Sequence, residues 1–237
     1  MQKYNYIAGV VRKKIIDGDY EINQKLPSEK ELGAEFSASK LTIKKALDIL
    51  VSEGLIIKRR GAGTFVKSLS VDEMERLIID NQMRGTTAFN PGKTVTSKVL
   101  DFSVIPAPEK VSKKLNIAEK SFVYEIYRVR LVEEQPTVME KMYMPIDLIV
   151  GLKKEDIEGS IYEYIEEKLG LTIQSGHRTI TVRKVTDFEA EELHLEQGDP
   201  VAVAEQTGYL STGVPFEYSI SVHRYDQFSV EMMLTHN

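Results

Sequence analysis

The chain has 237 residues, of which 42% are hydrophobic and 28% are charged, and its formal net charge is −5 at pH 7. This length favours two domains, and no apolar run approaches the roughly 18 residues that a transmembrane helix requires. The absence of cysteine excludes disulfides, thiolate metal sites and cysteine nucleophiles. Because no export signal is visible either, we expect the protein in the reducing cytoplasm.

The charges are unevenly distributed along the chain. Residues 1–70 hold 13 Lys and Arg against 8 Asp and Glu, whereas residues 71–237 hold 18 against 28. A basic N-terminal module followed by an acidic segment is typical of a polyanion-binding domain attached to a domain with another role. The alternative is that the basic side chains merely solvate helix surfaces.

Apolar periodicity predicts three helices in the basic module. The first covers residues from about 4 to 17. The second begins after Ser28, which forms a capping box with Glu31, and the third begins after the cap Ser39 and ends at Gly54. The residues expected to face inward are Ile7, Val10, Val11 and Ile15, then Leu32 and Phe36, then Ile43, Ala46, Leu47 and Leu50.

The short break between the second and third helices predicts a helix-turn-helix, whose second helix lies in the DNA major groove. Two β-type runs around a glycine turn follow and predict a wing. Polar and basic side chains converge from both elements, which favours DNA binding over a solvated helix surface. The predicted contacts are Ser39, Lys40, Thr42, Lys44, Lys45, Arg59, Arg60, Gly61 and Gly63.

The stretches LPSEKEL, SASKLTIKKALDILVSEGLI and RRGAGTFV resemble the N-terminal signature of the GntR family of bacterial transcription regulators. The resemblance covers residues from about 4 to 67 and implies base or phosphate contacts from Lys30, Lys40 and Lys44, and minor-groove contacts from Gly61 and Gly63. The family usually has arginine at the three lysine positions. Because lysine lacks the two-pronged fork that reads guanine, we expect phosphate contacts to carry more of the affinity.

The acidic part of the chain is predicted to be α+β. A linking helix is expected from Val71 to about Arg84, followed by the turn-rich loop GTTAFNPGK. Strand-like alternation follows in TVTSKVLDFSV, SFVYEIYRVRLV and TITVRKV, with a capped helix in SIYEYIEEKLGL. These patterns place a DNA-binding domain at 1–70, a linker at 71–85 and a second domain at 86–237.

Two segments of the second domain resemble each other. Each runs from a short helix through a turn into a hairpin, and Leu115 matches Leu193 at the same offset at which Val123 matches Val201. Duplicated hairpins would form one antiparallel sheet with an approximate internal twofold and a crevice suited to a small molecule. Chance recurrence of this helix and hairpin pattern is the alternative.

The second domain also resembles UTRA, the effector-binding domain of the HutC branch of GntR regulators, which has a chorismate-lyase-like fold. The resemblance covers about Thr86 to Glu231 and rests on YRVRLVEEQPTVMEKMYMP, GSIYEYIEEKLGL, GDPVAVAEQTGYLSTGVPFEYS and HRYDQF. It implies that a phosphorylated sugar is bound. The implied phosphate contacts are Arg128 and Ser160, the implied sugar contacts are Glu140 and Glu217, and the further lining residues are Tyr162 and His223.

The residues themselves also favour an anion site. Arg128 and Arg130 lie two apart on a strand and therefore share a face, where two guanidinium groups require water or an anion. The alternative for these arginines is a cross-strand salt bridge with Glu140 or Glu217. For Ser160, the alternative is simple helix capping.

An enzyme is disfavoured because the four histidines lack metal-ligand spacing and no Walker or Rossmann glycine pattern occurs. We predict a homodimeric regulator, a repressor of a carbohydrate operon, that binds a pseudo-palindromic operator in double-stranded DNA. A sugar phosphate is expected to release it, without cofactor, metal or membrane. The alternatives are a non-sugar anionic effector, such as an amino-acid catabolite, and a ligand-independent architectural DNA-binding protein.

Overall fold

The computed structural model describes residues 2–70, 73 and 85–230. It divides into one unit of Met1–Gln82 with Val230–Asn237 and a second unit of Met83–Ser229. The predicted linking helix at Val71–Arg84 lies outside the described residues, apart from Glu73. Within the described parts, no helix is long and apolar enough to cross a bilayer.

The first unit contains the three predicted helices. They are α1 (Lys3–Ile16), α2 (Glu29–Glu35) and α3 (Lys40–Ser52). The capping box is present, because Ser28 Oγ accepts the Glu31 N–H at 3.3 Å and Glu31 Oε2 accepts the Ser28 N–H at 2.7 Å. All predicted core positions are buried except Val10 and Phe36, which are half-buried, and Ala8 joins the core.

The wing follows α3 directly. Its strands β1 (Ile56–Arg59) and β2 (Gly63–Val66) pair antiparallel, with Ile56 opposite Val66. Gly54 adopts a left-handed φ of 78°, so the chain turns and buries Leu55 against the helices. The winged helix-turn-helix is therefore confirmed.

The second unit is built on one antiparallel sheet of six strands in the order β3-β4-β5-β8-β7-β6. The strands are β3 (Val95–Pro106), β4 (Phe122–Val132), β5 (Gln135–Pro145), β6 (Ile173–Lys184), β7 (Pro200–Leu210) and β8 (Pro215–Arg224). The helices are α4 (Glu109–Leu115), α5 (Lys154–Glu158), α6 (Ile161–Glu163) and α7 (Asp187–Leu193). The α+β prediction is confirmed.

The internal repeat is confirmed as a structural duplication. The succession of β3, α4, β4 and β5 recurs as β6, α7, β7 and β8, and the strand order places the two halves symmetrically about the β5–β8 pair. Both helices end at a residue with left-handed φ, 51° at Asn116 and 53° at His194. Leu115 and Leu193 are both buried.

The predicted continuous helix after Ser160 is wrong in detail. Only α6 is α-helical, and a π-helical turn at Tyr164–Lys168 follows it. The Leu169 N–H donates to Tyr164 O at 3.2 Å, which closes the wider turn. This geometry buries the consecutive residues Tyr164 and Ile165, which are 8% and 0% exposed.

Candidate functional sites

The start of α3 presents lysines to solvent. Ser39 Oγ accepts the Thr42 N–H at 3.2 Å and fixes the first turn. Lys40 is only loosely associated with Glu29, at 4.0 Å and with its side chain 84% exposed, and Lys30 and Lys44 are exposed as well. Lys45 differs, because its Nζ lies 5.6 Å from the ring centroid of Tyr4 on α1.

The wing tip combines arginine with two left-handed glycines. The Arg59 guanidinium lies 4.7 Å from the Phe65 ring centroid, and Arg60 is exposed in the turn. Gly61 has φ +75° and open space around it, whereas a Cβ on Gly63, at φ +119°, would lie 2.6 Å from Lys25 Cε. Lys25 was absent from the sequence prediction and adds a cation beside the wing.

In the second unit, strand register places Arg128 directly opposite Glu140. Arg128 Nε and Nη2 both lie 2.8 Å from Glu140 Oε2, and the two residues are 5% and 9% exposed. Arg128 Nη1 also donates to Ile157 O at 2.6 Å and to Gly159 O at 3.1 Å. The cross-strand salt bridge named as an alternative is therefore present.

Arg130 lies on the same face of β4 as Arg128. None of its described hydrogen bonds is made to a carboxylate. Its Nη1 donates to Ser97 Oγ at 2.7 Å and Gly159 O at 2.6 Å, and its Nη2 donates to Thr87 Oγ1 at 2.6 Å. Within the described residues its buried Nε lacks a partner. Burial and the neighbouring charge of Arg128 lower the pKa of Arg130 to about 10.

Glu140 is the acid shared by this cluster. Burial opposes its ionisation, but Arg128 and Arg130 outweigh that effect and hold the pKa of Glu140 below its ordinary value. Thr86 Oγ1 donates to Glu140 Oε1 at 3.0 Å. The sequence analysis missed Thr86 and Thr87, and no local pattern in their turn-rich loop points to these contacts.

Ser160 and Tyr162 belong to the segment that covers this face. Ser160 Oγ accepts the Glu163 N–H at 3.3 Å, so its capping role is present. The Tyr162 ring packs edge-on against Phe216 with centroids 5.9 Å apart. Burial, followed by the charge of Glu217, raises the pKa of Tyr162 well above its ordinary value.

Glu217 is 2% exposed and lies on this face of β8. Its Oε1 accepts from Ser219 Oγ at 2.6 Å and from Gln206 Nε2 at 3.5 Å. Its Oε2 is buried without a partner among the described residues. Burial raises the pKa of Glu217. Gln206 was not predicted from the sequence, because its relation to Glu217 arises only from the pairing of β7 with β8.

His223 lies opposite Val138 on β5 and contacts the Phe228 ring at a centroid distance of 4.4 Å. Burial lowers its pKa to about 4, although Glu140 acts in the opposite direction. The imidazole is therefore neutral near pH 7. In the described parts of the chain, no group of three or more potential ligands could hold a metal ion.

Two family models match the chain. Residues 3–66 match the model described as bacterial regulatory proteins of the gntR family, and residues 91–229 match the UTRA domain. The HTH-type transcriptional regulator GmuR of Bacillus subtilis is 40% identical, with 97% of each chain covered. The mannosyl-D-glycerate transport/metabolism system repressor MngR of Escherichia coli is 28% identical, covering 97% of this chain and 95% of its own.

A solved structure supports the same relationship. The crystal structure of the possible transcriptional regulator YydK from Bacillus subtilis is 30% identical, covers 98% of this chain and 99% of its own, and superposes with a TM-score of 0.79. The similarity therefore extends over both units of the chain.

Proposed function

Because the chain belongs to the GntR family of bacterial transcription regulators and carries a UTRA domain, we propose that it represses a carbohydrate operon until a phosphorylated sugar binds. Members of this family regulate transcription and are not enzymes. We place the DNA-binding domain at residues 1–70, the linker at 71–85 and the effector domain at 86–237.

The excess positive charge at Arg128 and Arg130 carries the proposal. Two buried guanidinium groups share the Glu140 carboxylate, and among the described contacts of Arg130 none is a direct bond to a carboxylate. The lowered pKa of Arg130 is consistent with the unfavourable burial of its charge next to that of Arg128. An anion beside Arg130 would offset that cost and could accept a hydrogen bond from its unpartnered Nε.

The polar groups around Glu217 favour a sugar as the rest of the effector. Tyr162, Gln206 and Glu217 offer donors and acceptors, and Arg178 Nε donates to the Gln206 amide oxygen at 2.8 Å. Such groups suit hydroxyls, which both donate and accept. The relative MngR is named for a mannosyl-D-glycerate transport and metabolism system, which is consistent with a carbohydrate system here.

The effector site is connected by sequence to the linker. Thr86 and Thr87 bond Glu140 and Arg130, and both follow the linker directly in the chain. A phosphate that accepts from Arg130 Nε would lie on the same guanidinium group that donates to Thr87 Oγ1 through Nη2. We therefore infer that effector binding repositions the start of the effector domain, and that the linker transmits this change to the DNA-binding domain.

DNA binding requires two copies in this proposal. A homodimer would present two recognition helices and two wings to a pseudo-palindromic operator in the cytoplasm. Coupling of about 1–3 kcal/mol between effector and operator would change operator affinity from several-fold to more than a hundredfold. Light scattering of the free protein and of its DNA complex measures the stoichiometry, and a monomer on DNA would contradict this part.

The main test combines DNA selection with a ligand panel. Operator DNA is selected from a random library, and band shifts are then measured with glucose 6-phosphate, glucosamine 6-phosphate, the free sugars and carboxylate amino-acid catabolites. We expect only sugar phosphates to release DNA, and Arg130→Met to abolish release while sparing DNA binding. Arg183→Met, in the same domain, is the control.

Three outcomes would overturn parts of the proposal. Release by a carboxylate lacking hydroxyls would favour the non-sugar effector, and full release in Arg130→Met would reject the assigned site. DNA affinity that stays constant across the whole panel would support an architectural DNA-binding protein instead.

A further inference from the structure

One large apolar side chain is exposed at the start of the recognition helix α3. Leu41 is the second residue of this helix and is 63% exposed, whereas the inward positions Ile43, Ala46, Leu47 and Leu50 are at most 2% exposed. In the described part of this unit, Leu41 is not among the residues that form or cover the core. Folding of the unit therefore does not require leucine at this position.

The helical period places Leu41 on the side of α3 that faces away from the core. At 3.6 residues per turn, Leu41 lies about 160° from Ile43 around the helix axis. Lys44 follows Leu41 by three residues, so the two exposed side chains are neighbours on one side of the helix. Side chains of a helix tilt toward its N-terminus, which is the end that contacts base edges in a helix-turn-helix. Leu41 is therefore positioned to reach the bases when α3 lies in the major groove.

The neighbouring side chains of the first turn provide limited discrimination between bases. Ser39 Oγ and Thr42 Oγ1 lie 2.9 Å apart and hydrogen-bond to each other, which uses a hydroxyl hydrogen of one and a lone pair of the other. Lys40 and Lys44 are flexible point charges that suit phosphates and lack the fork that reads guanine. Leu41 has no charge and no polar side-chain atom, so its contact depends on shape and apolar surface alone.

Thymine is the base that offers an apolar partner in the major groove. Its C5-methyl group is exposed there, whereas the edges of guanine, adenine and cytosine present hydrogen-bonding atoms. A leucine against the methyl group removes apolar surface on both sides from water. Against any of the other three bases, the leucine would displace water from polar atoms and offer no hydrogen bond in return. This chemistry selects thymine.

We propose that Leu41 is a specificity-determining residue that reads a thymine methyl group in each half-site of the operator. The contact supplies base discrimination to a recognition helix whose lysines bind mainly phosphates. This inference rests on the proposed function, because it requires that α3 lies in the major groove of an operator.

The test removes the methyl group from the DNA and the side chain from the protein. In the selected operator, each thymine and its symmetry mate are replaced by deoxyuridine, which lacks only the C5-methyl group. Fluorescence anisotropy with the full chain measures the dissociation constant for each duplex. Burial of one methyl group contributes about fourfold in affinity, so we expect one symmetric pair of replacements to weaken binding about fifteenfold.

The protein variants complete a double-mutant cycle. Leu41→Ala is expected to bind the unaltered operator as weakly as the unaltered protein binds the replaced duplex, and to lose less than about twofold further on that duplex. Because Leu41 is exposed and alanine is the better helix former, this variant keeps the fold, which circular dichroism checks. Leu41→Met retains an apolar side chain and is expected to retain most of the sensitivity to deoxyuridine.

The matched control is Ile22→Ala. Ile22 is 52% exposed in the same unit and loses the same number of carbon atoms on substitution, but it lies outside α3 and the wing strands. This variant is expected to match the unaltered protein in operator affinity and in sensitivity to deoxyuridine. An equal loss of affinity in Ile22→Ala and Leu41→Ala would mean a general effect on the unit and would overturn the assignment to Leu41.

The remaining outcomes separate this inference from the proposed function. If selection enriches no DNA sequence, the proposed function fails and this inference fails with it. If an operator is bound but no thymine pair is sensitive to deoxyuridine, only the role of Leu41 is overturned. Sensitivity that persists unchanged in Leu41→Ala would assign the methyl contact to another residue and would also overturn it.

Discussion

The buried ion pair between Arg128 and Glu140 permits a quantitative prediction about stability. Arg128→Met leaves the Glu140 carboxylate buried with only the more distant charge of Arg130. Glu140→Met removes the carboxylate that the two adjacent guanidinium groups share. Removing one partner of a buried pair costs about 3–5 kcal/mol, whereas replacing both partners by apolar side chains is often nearly neutral.

The contacts of Arg128 refine these magnitudes. Arg128→Met also removes the donor to Ile157 O, which adds about 1 kcal/mol, while Gly159 O keeps its bond from Arg130. We therefore expect losses of about 4–5 kcal/mol for Arg128→Met and about 3–4 kcal/mol for Glu140→Met. The double variant is expected to regain about 2–3 kcal/mol over Arg128→Met.

Urea unfolding followed by circular dichroism and tyrosine fluorescence measures these free energies. The Arg183–Glu189 pair is the control, because it too has two short contacts, at 2.7 and 2.6 Å, but the Arg183 side chain is 41% exposed while that of Glu189 is 10% exposed. Arg183→Met is expected to cost at most about 1 kcal/mol. A loss below about 1 kcal/mol for Glu140→Met, or a double variant less stable than both single variants, would refute the reasoning.

Three further predictions concern the wing, the recognition helix and the buried acid. Lys44→Ala is expected to weaken operator binding about tenfold and to reduce the slope of log affinity against log salt by about 1.8, which is about 0.9 for each copy of the proposed homodimer; unchanged affinity in band shifts would reject the α3 assignment. Gly63→Ala is expected to impair operator binding more than Gly61→Ala, because Gly63 has the less favourable φ of +119° and its added Cβ would also displace the Lys25 side chain, whereas Gly61, at φ +75°, has open space; equal operator affinity of the two variants in band shifts would contradict this. Because Glu217 has a raised pKa in the folded state, it weakens folding as pH rises through its titration. Glu217→Gln is therefore expected to raise the melting temperature by about 2–4 °C at pH 8 and little at pH 4, and an equal change at both pH values would contradict this reading.

The DNA-binding unit could be predicted well from the sequence because its signals are local. Ser28 and Glu31 lie within one turn, the core positions of α3 follow the helical period, and Gly54 ends its helix with a left-handed φ. Each of these features depends on residues a few positions apart. Lys25 was missed because its proximity to Gly63 depends on the pairing of distant segments.

The effector site was only partly predictable, because many of its contacts join residues that are far apart in the sequence. Arg128 and Glu140 fall within recognisable motifs, and the two-residue spacing of the arginines predicts a shared face. Gln206 and Thr87 carry no local signal, because their partners are determined by strand register and by a loop that folds back onto the sheet. The π-helical turn likewise results from tertiary packing and not from apolar spacing.

The duplication of the sheet has a consequence for protein engineering. Arg128 and Arg130 on β4 occupy the positions that Gln206 and Gly208 occupy on β7, so the two halves share a backbone but differ in charge. Gly208 lies directly across from Glu217, as Arg128 lies across from Glu140. Gly208→Arg would place an arginine across from Glu217, at the position that matches Arg130, and provide a starting point for a regulator that responds to ligands with an anionic group at each end.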